Sequence, residues 1–206
     1  QWIGLIQACF DRWEQLSGID FVRVRYNGQE WDDGAPWDTG LGATGVRGDI
    51  RIGARSVDGQ YNTLANCAYP PDSGVTSGAP GNMRLDTAED WGDTENSYRF
   101  LRNVLMHEIG HGLGLQHVCP KTKSKLMEPI LVETVYGPQH DDMRAVQSLY
   151  GDVFEPNDSP GTSTYRGAIA GSSSDFLGAV TVANSSLCSI VPNTDQDWYA
   201  YDLGVA

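Results

Sequence analysis

Apolar residues recur at three- and four-residue steps in two long stretches and alternate in others, which divides the chain into helices and strands. In residues 2–17 Ile3, Ile6, Phe10 and Trp13 share one face of a helix that Gly18 is placed to end. In "RFLRNVLMHEIGHGLGL" (99–115) Leu101, Val104, Leu105 and Ile109 form a second apolar stripe. A third helix is expected near 139–150, where Asp141 and Asp142 suit the positive end of the helix dipole and Gly151 follows the last turn. "IDFVRVRY" (19–26) alternates apolar with polar and predicts a half-buried strand. "GDIRIGAR" (48–55) predicts a second strand and "TLANCAYP" (63–70) a third, at a sheet edge where a peptide can lie. Residues 27–45 and "PPDSGVTSGAPGNMRLD" (70–86) read as loops. Helix, sheet, helix, helix is an α+β order. After Gly151 the chain turns rich in Pro, Gly, Ser and Asp, the composition of a linker or a domain start.

The 206 residues suit one large domain, or one domain and a fragment, and 40% hydrophobic residues suffice for a core. No apolar run approaches the roughly 20 residues of a membrane span. The first residues lack the basic start and hydrophobic stretch of a signal peptide, so a mature or trimmed form is expected. The net charge of −13 divides unevenly, −7 over residues 1–151 and −6 over the much shorter 152–206. Such an acidic chain argues against nucleic acid and anionic membranes as partners and suits secreted, extracellular life with calcium. All three lysines lie in "KTKSK" (121–125), a basic patch or simply a solvated loop.

The histidines change the picture. Three of the four fall within "HEIGHGLGLQH" (107–117). His107 and His111 stand one turn apart on one helix face, where two imidazoles can hold one metal ion. Gly114 permits the left-handed backbone that ends the helix and turns His117 back to the same point. Three neutral imidazoles leave the fourth position of a zinc ion open for water, the layout of a catalytic site. Glu108 is placed as the base toward that water. The full pattern arises by chance in a chain of this length with odds of roughly 1 in 100,000, so a surface helix that merely carries histidines is set aside.

This extended motif resembles that of the metzincin metallopeptidases, which implies a Met-turn downstream. "SKLMEPI" offers one at Met127, and its Leu-Met-Glu-Pro form looks like the matrixin branch, the matrix metalloproteinases and their bacterial relatives. "QHDDMRAVQSLYG" (139–151), "DTAEDW" (86–91) and "VDGQYNTLANCAYPP" (57–71) resemble further matrixin segments, in the expected order. The chain departs at Val118, where matrixins carry a small hydroxyl residue. The propeptide motif of the family is also absent.

The resemblance implies a catalytic domain over 1–151 with a twisted, mostly parallel sheet, an antiparallel edge strand and three helices. It implies one catalytic zinc on His107, His111 and His117, with Met127 as an apolar floor beneath the imidazoles. It also implies a structural calcium held by Asp58, Asp86 and Glu89 with the carbonyls of Gly59, Tyr61 and Thr63, a hard oxygen set. The family's second, structural zinc is not expected, because Asn66, Arg84 and the 56–58 loop supply no histidine and only His140, expected at the surface, is left over. Leu64 and Ala65 on the edge strand match the substrate cleft. Pro129, Ile130 and Leu131 match the wall of the pocket for the residue after the scissile bond, with Leu131 where tyrosine is usual. Four cysteines allow three full pairings. Cys67–Cys119 is favoured, since both fall beside the cleft, and Cys9 sits in an apolar helix face. "FEPNDSP" (154–160) and "DQDWYAY" (195–201) look like the bacterial pre-peptidase C-terminal domain, so 152–206 is expected to be a linker and an incomplete, β-rich module of that kind.

The expected function is that of a secreted, monomeric zinc endopeptidase acting on peptides or proteins, including extracellular matrix. The rivals are a metzincin-fold binding module with weak or lost catalysis, and a metalloenzyme acting on something other than peptides. The intact glutamate and ligands speak against the first. The Met-turn and edge strand speak against the second.

Overall fold

The computed structural model describes residues 2–25, 48–70, 80–119, 121–169 and 199–203. They form, in order, α1 (Trp2–Glu14), β1 (Arg51–Arg55), β2 (Ala65–Cys67), β3 (Asn82–Asp86), α2 (Arg99–Gly112), α3 (His140–Tyr150), β4 (Thr164–Ile169) and β5 (Tyr199–Leu203). The chain forms two compact units, Gln1–Asp11 with Phe21–Asp142, and Arg12–Asp20 with Met143–Ala206.

The first unit carries a three-stranded sheet in the order β1-β3-β2. β1 runs parallel to β3, with Arg51 opposite Asn82 and Arg55 opposite Asp86. β2 lies antiparallel at the edge, with Ala65, Asn66 and Cys67 opposite Leu85, Arg84 and Met83. This is the α+β arrangement expected, and its edge strand is the one the sequence marks. Two expectations fail. Residues 82–86, expected to be loop, form the central strand, because Asn82, Met83, Leu85 and Asp86 are all buried between neighbours and leave no alternation to see. Residues 19–25 carry no strand, and with Val22 and Val24 exposed their alternation does not bury one face. Residue 26 and the 27–45 loop lie outside the described residues.

α2 earns its stability by burial. Leu101, Val104, Leu105, Met106 and Ile109 are all buried, and Trp91 stacks on Phe100 with centroids 5.1 Å apart while its indole N–H donates to the Asp86 carbonyl at 2.6 Å. The helix ends as its glycine requires. Gly114, at φ +97°, donates to the His111 carbonyl and Leu115 donates to the Gly110 carbonyl, both at 2.9 Å, the paired bonds of a Schellman turn. α1 buries a different face from the one expected: Leu5, Cys9, Trp13 and Leu16 are inside and Ile3 is exposed. The buried set is itself spaced by four and three, so a helix rich in apolar residues offers two candidate stripes, and packing selects between them.

In the second unit Leu16 packs with Met143, and the Gln147 side chain donates to the Leu16 carbonyl at 2.9 Å. β4 and β5 form a parallel pair, and Phe154 meets Tyr199 edge-on at 6.0 Å.

Candidate metal centre

α2 places His107 and His111 on one face, and the turn at Gly114 returns His117 to them. The Nε2 atom of His117 lies 3.2 Å from that of His107 and 3.1 Å from that of His111. Ligands about 2.0–2.1 Å from a tetrahedral zinc stand roughly 3.3 Å apart, so the spacing fits that ion. The outer ring nitrogens fix the tautomers. Nδ1 of His107 lies 2.7 Å from the Leu126 carbonyl, and Nδ1 of His111 lies 2.7 Å from the Leu115 carbonyl. A carbonyl only accepts, so each Nδ1 carries the proton and each Nε2 lone pair is left for a metal. Burial holds the His107 and His111 imidazoles down at about 4, and burial with nearby Lys121 lowers His117 as well. All three are therefore neutral at neutral pH, the state in which imidazole binds a cation. Among the described residues they form one three-residue metal-ligating group.

Glu108 is buried beside them, and its Oε2 has no hydrogen-bond partner in the protein. Burial pushes its carboxyl up to about 8, against the Cys67 backbone N–H, which lowers it. A buried carboxyl oxygen without a partner, next to three convergent lone pairs, fits a site completed by water and a cation, whose charge would favour the ionised carboxylate that a base requires.

The Met-turn is locked from α3. Met127 is buried, and the Asp142 carboxylate accepts from the N–H groups of Leu126 at 2.9 Å, Met127 at 3.0 Å and Gln139 at 2.7 Å. Met127 returns a carbonyl to the Val118 N–H at 2.9 Å, joining the turn to the third histidine's neighbour. Glu128, also buried, accepts from the N–H groups of Lys123, Ser124 and Lys125 and from the Thr122 hydroxyl, so the lysine run folds around a carboxylate. Pro129, Ile130 and Leu131 follow, half-buried.

The residues assigned to calcium also come together, through hydrogen bonds. Asp86 accepts from the N–H groups of Asp58 and Gly59, both at 3.1 Å, and Glu89 accepts from that of Tyr61 at 2.6 Å. Asp58 accepts from the Thr63 N–H at 3.0 Å and from its hydroxyl at 2.6 Å. The Leu64 carbonyl accepts from the Asp86 N–H at 2.9 Å, and Ala65 sits in β2. Asn66 and Arg84 face one another across β2 and β3.

The expected Cys67–Cys119 bridge is absent, and both thiols are free. Cys67 points inward, where a Cβ on Gly112 would meet its sulfur at 3.3 Å, while Cys119 is exposed on the loop after His117. Burial pushes the Cys67 thiol up to about 12. His140 is exposed, as expected, and Cys9 is buried. Sequence reasoning missed Asp142, Glu128, Asn103 and Tyr69, whose ring meets that of His111 edge-on at 5.0 Å. Asn103 and Asp142 act on backbone groups distant in sequence, for which no residue spacing gives a signal, while Glu128 binds the loop three to six residues before it.

A three-histidine group on a helix packed against a small mixed sheet, followed in the chain by a buried methionine turn, is the arrangement of the metzincin class. The chain belongs to the matrixin family, whose profile matches residues 3–151. It is 32% identical to karilysin of Tannerella forsythia over 149 residues, 72% of this chain and 28% of that protein. It is 30% identical to matrix metalloproteinase-16 of Homo sapiens over 151 residues, 71% of this chain and 23% of that protein. It is 36% identical to stromelysin-1 of Equus caballus over 99 residues, 46% of this chain and 19% of that protein. The chain thus spans only about a quarter of the curated relatives it matches.

Proposed function

We propose that the chain is a zinc-dependent endopeptidase acting on peptides or proteins. The observation that carries this is the meeting of three Nε2 atoms beside the buried, unpartnered oxygen of Glu108. His107, His111 and His117 hold the ion, oriented by the carbonyls of Leu126 and Leu115. Zinc, when bound, supplies a Lewis acid that polarises a carbonyl and brings the pKa of water near 7. Glu108 takes the proton from the attacking water and delivers it to the leaving amine nitrogen. The substrate backbone pairs with β2, which ends the sheet order, and the side chain after the scissile bond enters a pocket walled by Pro129, Ile130 and Leu131.

The peptidase unit corresponds to residues 1–151, with 152–206 as a linker and pre-peptidase C-terminal-like β segment. Calcium on Asp58, Asp86 and Glu89 completes the 58–63 loop, supported by the hydrogen bonds that each of these carboxylates accepts from backbone N–H groups of that loop. The protein works outside the cell as a monomer. Its substrates include extracellular matrix proteins, the class that the name of its relative matrix metalloproteinase-16 gives. Among the described residues no helix is long and apolar enough to cross a membrane.

The deciding test is cleavage of casein and a peptide library by the parent and by Glu108→Gln, with and without a chelator. General acid–base groups contribute about 100- to 10,000-fold, so the variant should lose that much while keeping its zinc. A zinc-loaded variant within tenfold of the parent rate, or a parent indifferent to chelation, overturns the mechanism.

A further inference from the structure

Residues 130–137, the segment after the Met-turn, form no helix or strand, yet their backbone is tightly held. The holding groups come from α2. Asn103, buried and one turn before His107, donates its amide N–H groups to the carbonyls of Val132 at 2.6 Å and Val135 at 3.0 Å. Its carbonyl oxygen accepts from the Gly137 N–H at 3.0 Å. Two acceptors and one donor around one amide fix which atom is nitrogen and which is oxygen. Arg99, one further turn back, donates from Nη1 to the Glu133 carbonyl at 2.9 Å. Gly137 adopts φ +72°, and a Cβ there would meet the Met106 thioether at 3.1 Å. Val132 is buried. One side of the metal-bearing helix thus dictates the path of the segment, whose carbonyls would otherwise need partners of their own.

We infer that Asn103, assisted by Arg99, is the positioning residue that shapes the pocket for the substrate side chain following the scissile bond. This rests on the assignment of Pro129, Ile130 and Leu131 as that pocket's wall. The helix that presents His107 and His111 on one side thereby sets selectivity from another. Asn103 touches neither metal nor substrate. It acts through the backbone of Val132, Val135 and Gly137. A leucine or alanine at 103 strands three backbone groups, two of them buried. An aspartate keeps the size and the acceptor for Gly137 but sets carboxylate oxygen against two carbonyl oxygens.

The test compares the parent with Asn103→Ala, Asn103→Asp, Arg99→Met and Leu131→Ala. Each is assayed on paired peptides that differ only in leucine or alanine after the scissile bond. Amide hydrogen exchange and zinc content are read alongside. In both Asn103 variants the segment 130–137 should lose exchange protection while the helix peptide 101–113 keeps its own and zinc stays at the parental level. The leucine-over-alanine preference should fall about tenfold, with the loss in KM rather than kcat. Arg99→Met should move the same way by less, and it carries the test if the Asn103 variants fail to fold. Unchanged exchange in 130–137, or a loosened segment with unchanged preference, overturns the inference. Equal loss on both peptides marks a merely structural role and overturns it too. If Leu131→Ala leaves the preference intact, the wall assignment itself is wrong, and the inference falls with it.

Discussion

Cys67 and Cys119 show how environment, not residue type, sets chemistry at the scale of single side chains. Cys67 lies under Gly112 with its thiol pushed up to about 12 by burial, so almost none of it is thiolate at neutral pH. Cys9 is also buried, and burial raises it to about 12. Cys119 is exposed. The thiolate is the reactive form, and access limits it further. With iodoacetamide at pH 8 the native protein should therefore be labelled at Cys119, with Cys67 and Cys9 at least about 100-fold slower until denaturant is added. Peptide mapping of the alkylated protein reads this directly. A Cys67 peptide that labels as fast as the Cys119 peptide, or a Cys67–Cys119 linked peptide, would contradict the free-thiol geometry.

The loop and turn elements between the third histidine and α3 carry their own charge chemistry. Burial raises the Glu128 carboxyl. The N–H groups of Ser124, Lys123 and Lys125 and the Thr122 hydroxyl more than offset this and hold it down at about 2. A depressed carboxyl stabilises the fold fully above its ordinary value near 4.5, and that contribution drains away as pH falls from there toward 2. Glu128→Gln should lower the melting temperature at pH 7, and the gap between parent and variant should narrow as pH drops from about 5 to about 3. Metal-free protein is the sample to use, so that zinc loss does not intrude. A gap independent of pH would remove Glu128 from this role. The same elements show what a sequence discloses. α2 was legible because its stripe, its two histidines and its terminal glycine all obey one helical period. β3 was not, because a central strand buried on both faces has no alternation, and its "NMRLD" follows a Gly- and Pro-rich run. Residues 19–25 misled for another reason, since with Val22 and Val24 exposed their alternation does not bury one face. The zinc ligands were legible because they are local. Asn103 and Asp142 were not, since they bind backbone 34 and 16 residues away, respectively, at the farthest.

At the scale of the whole molecule, the open question is what stands in for a second zinc. Asn66 and Arg84 are register partners on β2 and β3, and neither is a zinc ligand. Arg84 adds a positive charge to that position, which disfavours a cation further. The oxygen-rich loop is better suited to stabilise the same region. The Ala88 N–H chiefly, against burial, and then those of Asp58, Val57 and Gly59 hold the Asp86 carboxyl below its ordinary value, so it is ionised at neutral pH. Asp86 closes β3 and Glu89 follows it, so an ion bridging them to Asp58 would fasten the 58–63 loop to the sheet. Binding to the folded state alone stabilises by about 2.7 kcal/mol at a hundredfold excess over the dissociation constant. For a chain of this size that corresponds to a rise of about 5–10 °C in melting temperature. Calcium added to stripped protein should produce that rise, zinc should not, and Glu89→Gln should abolish most of the response. Elemental analysis of the purified protein should give one zinc per chain. A melting curve indifferent to calcium would refute the loop's role, and two tightly held zinc ions would show that the region binds metal by ligands other than these.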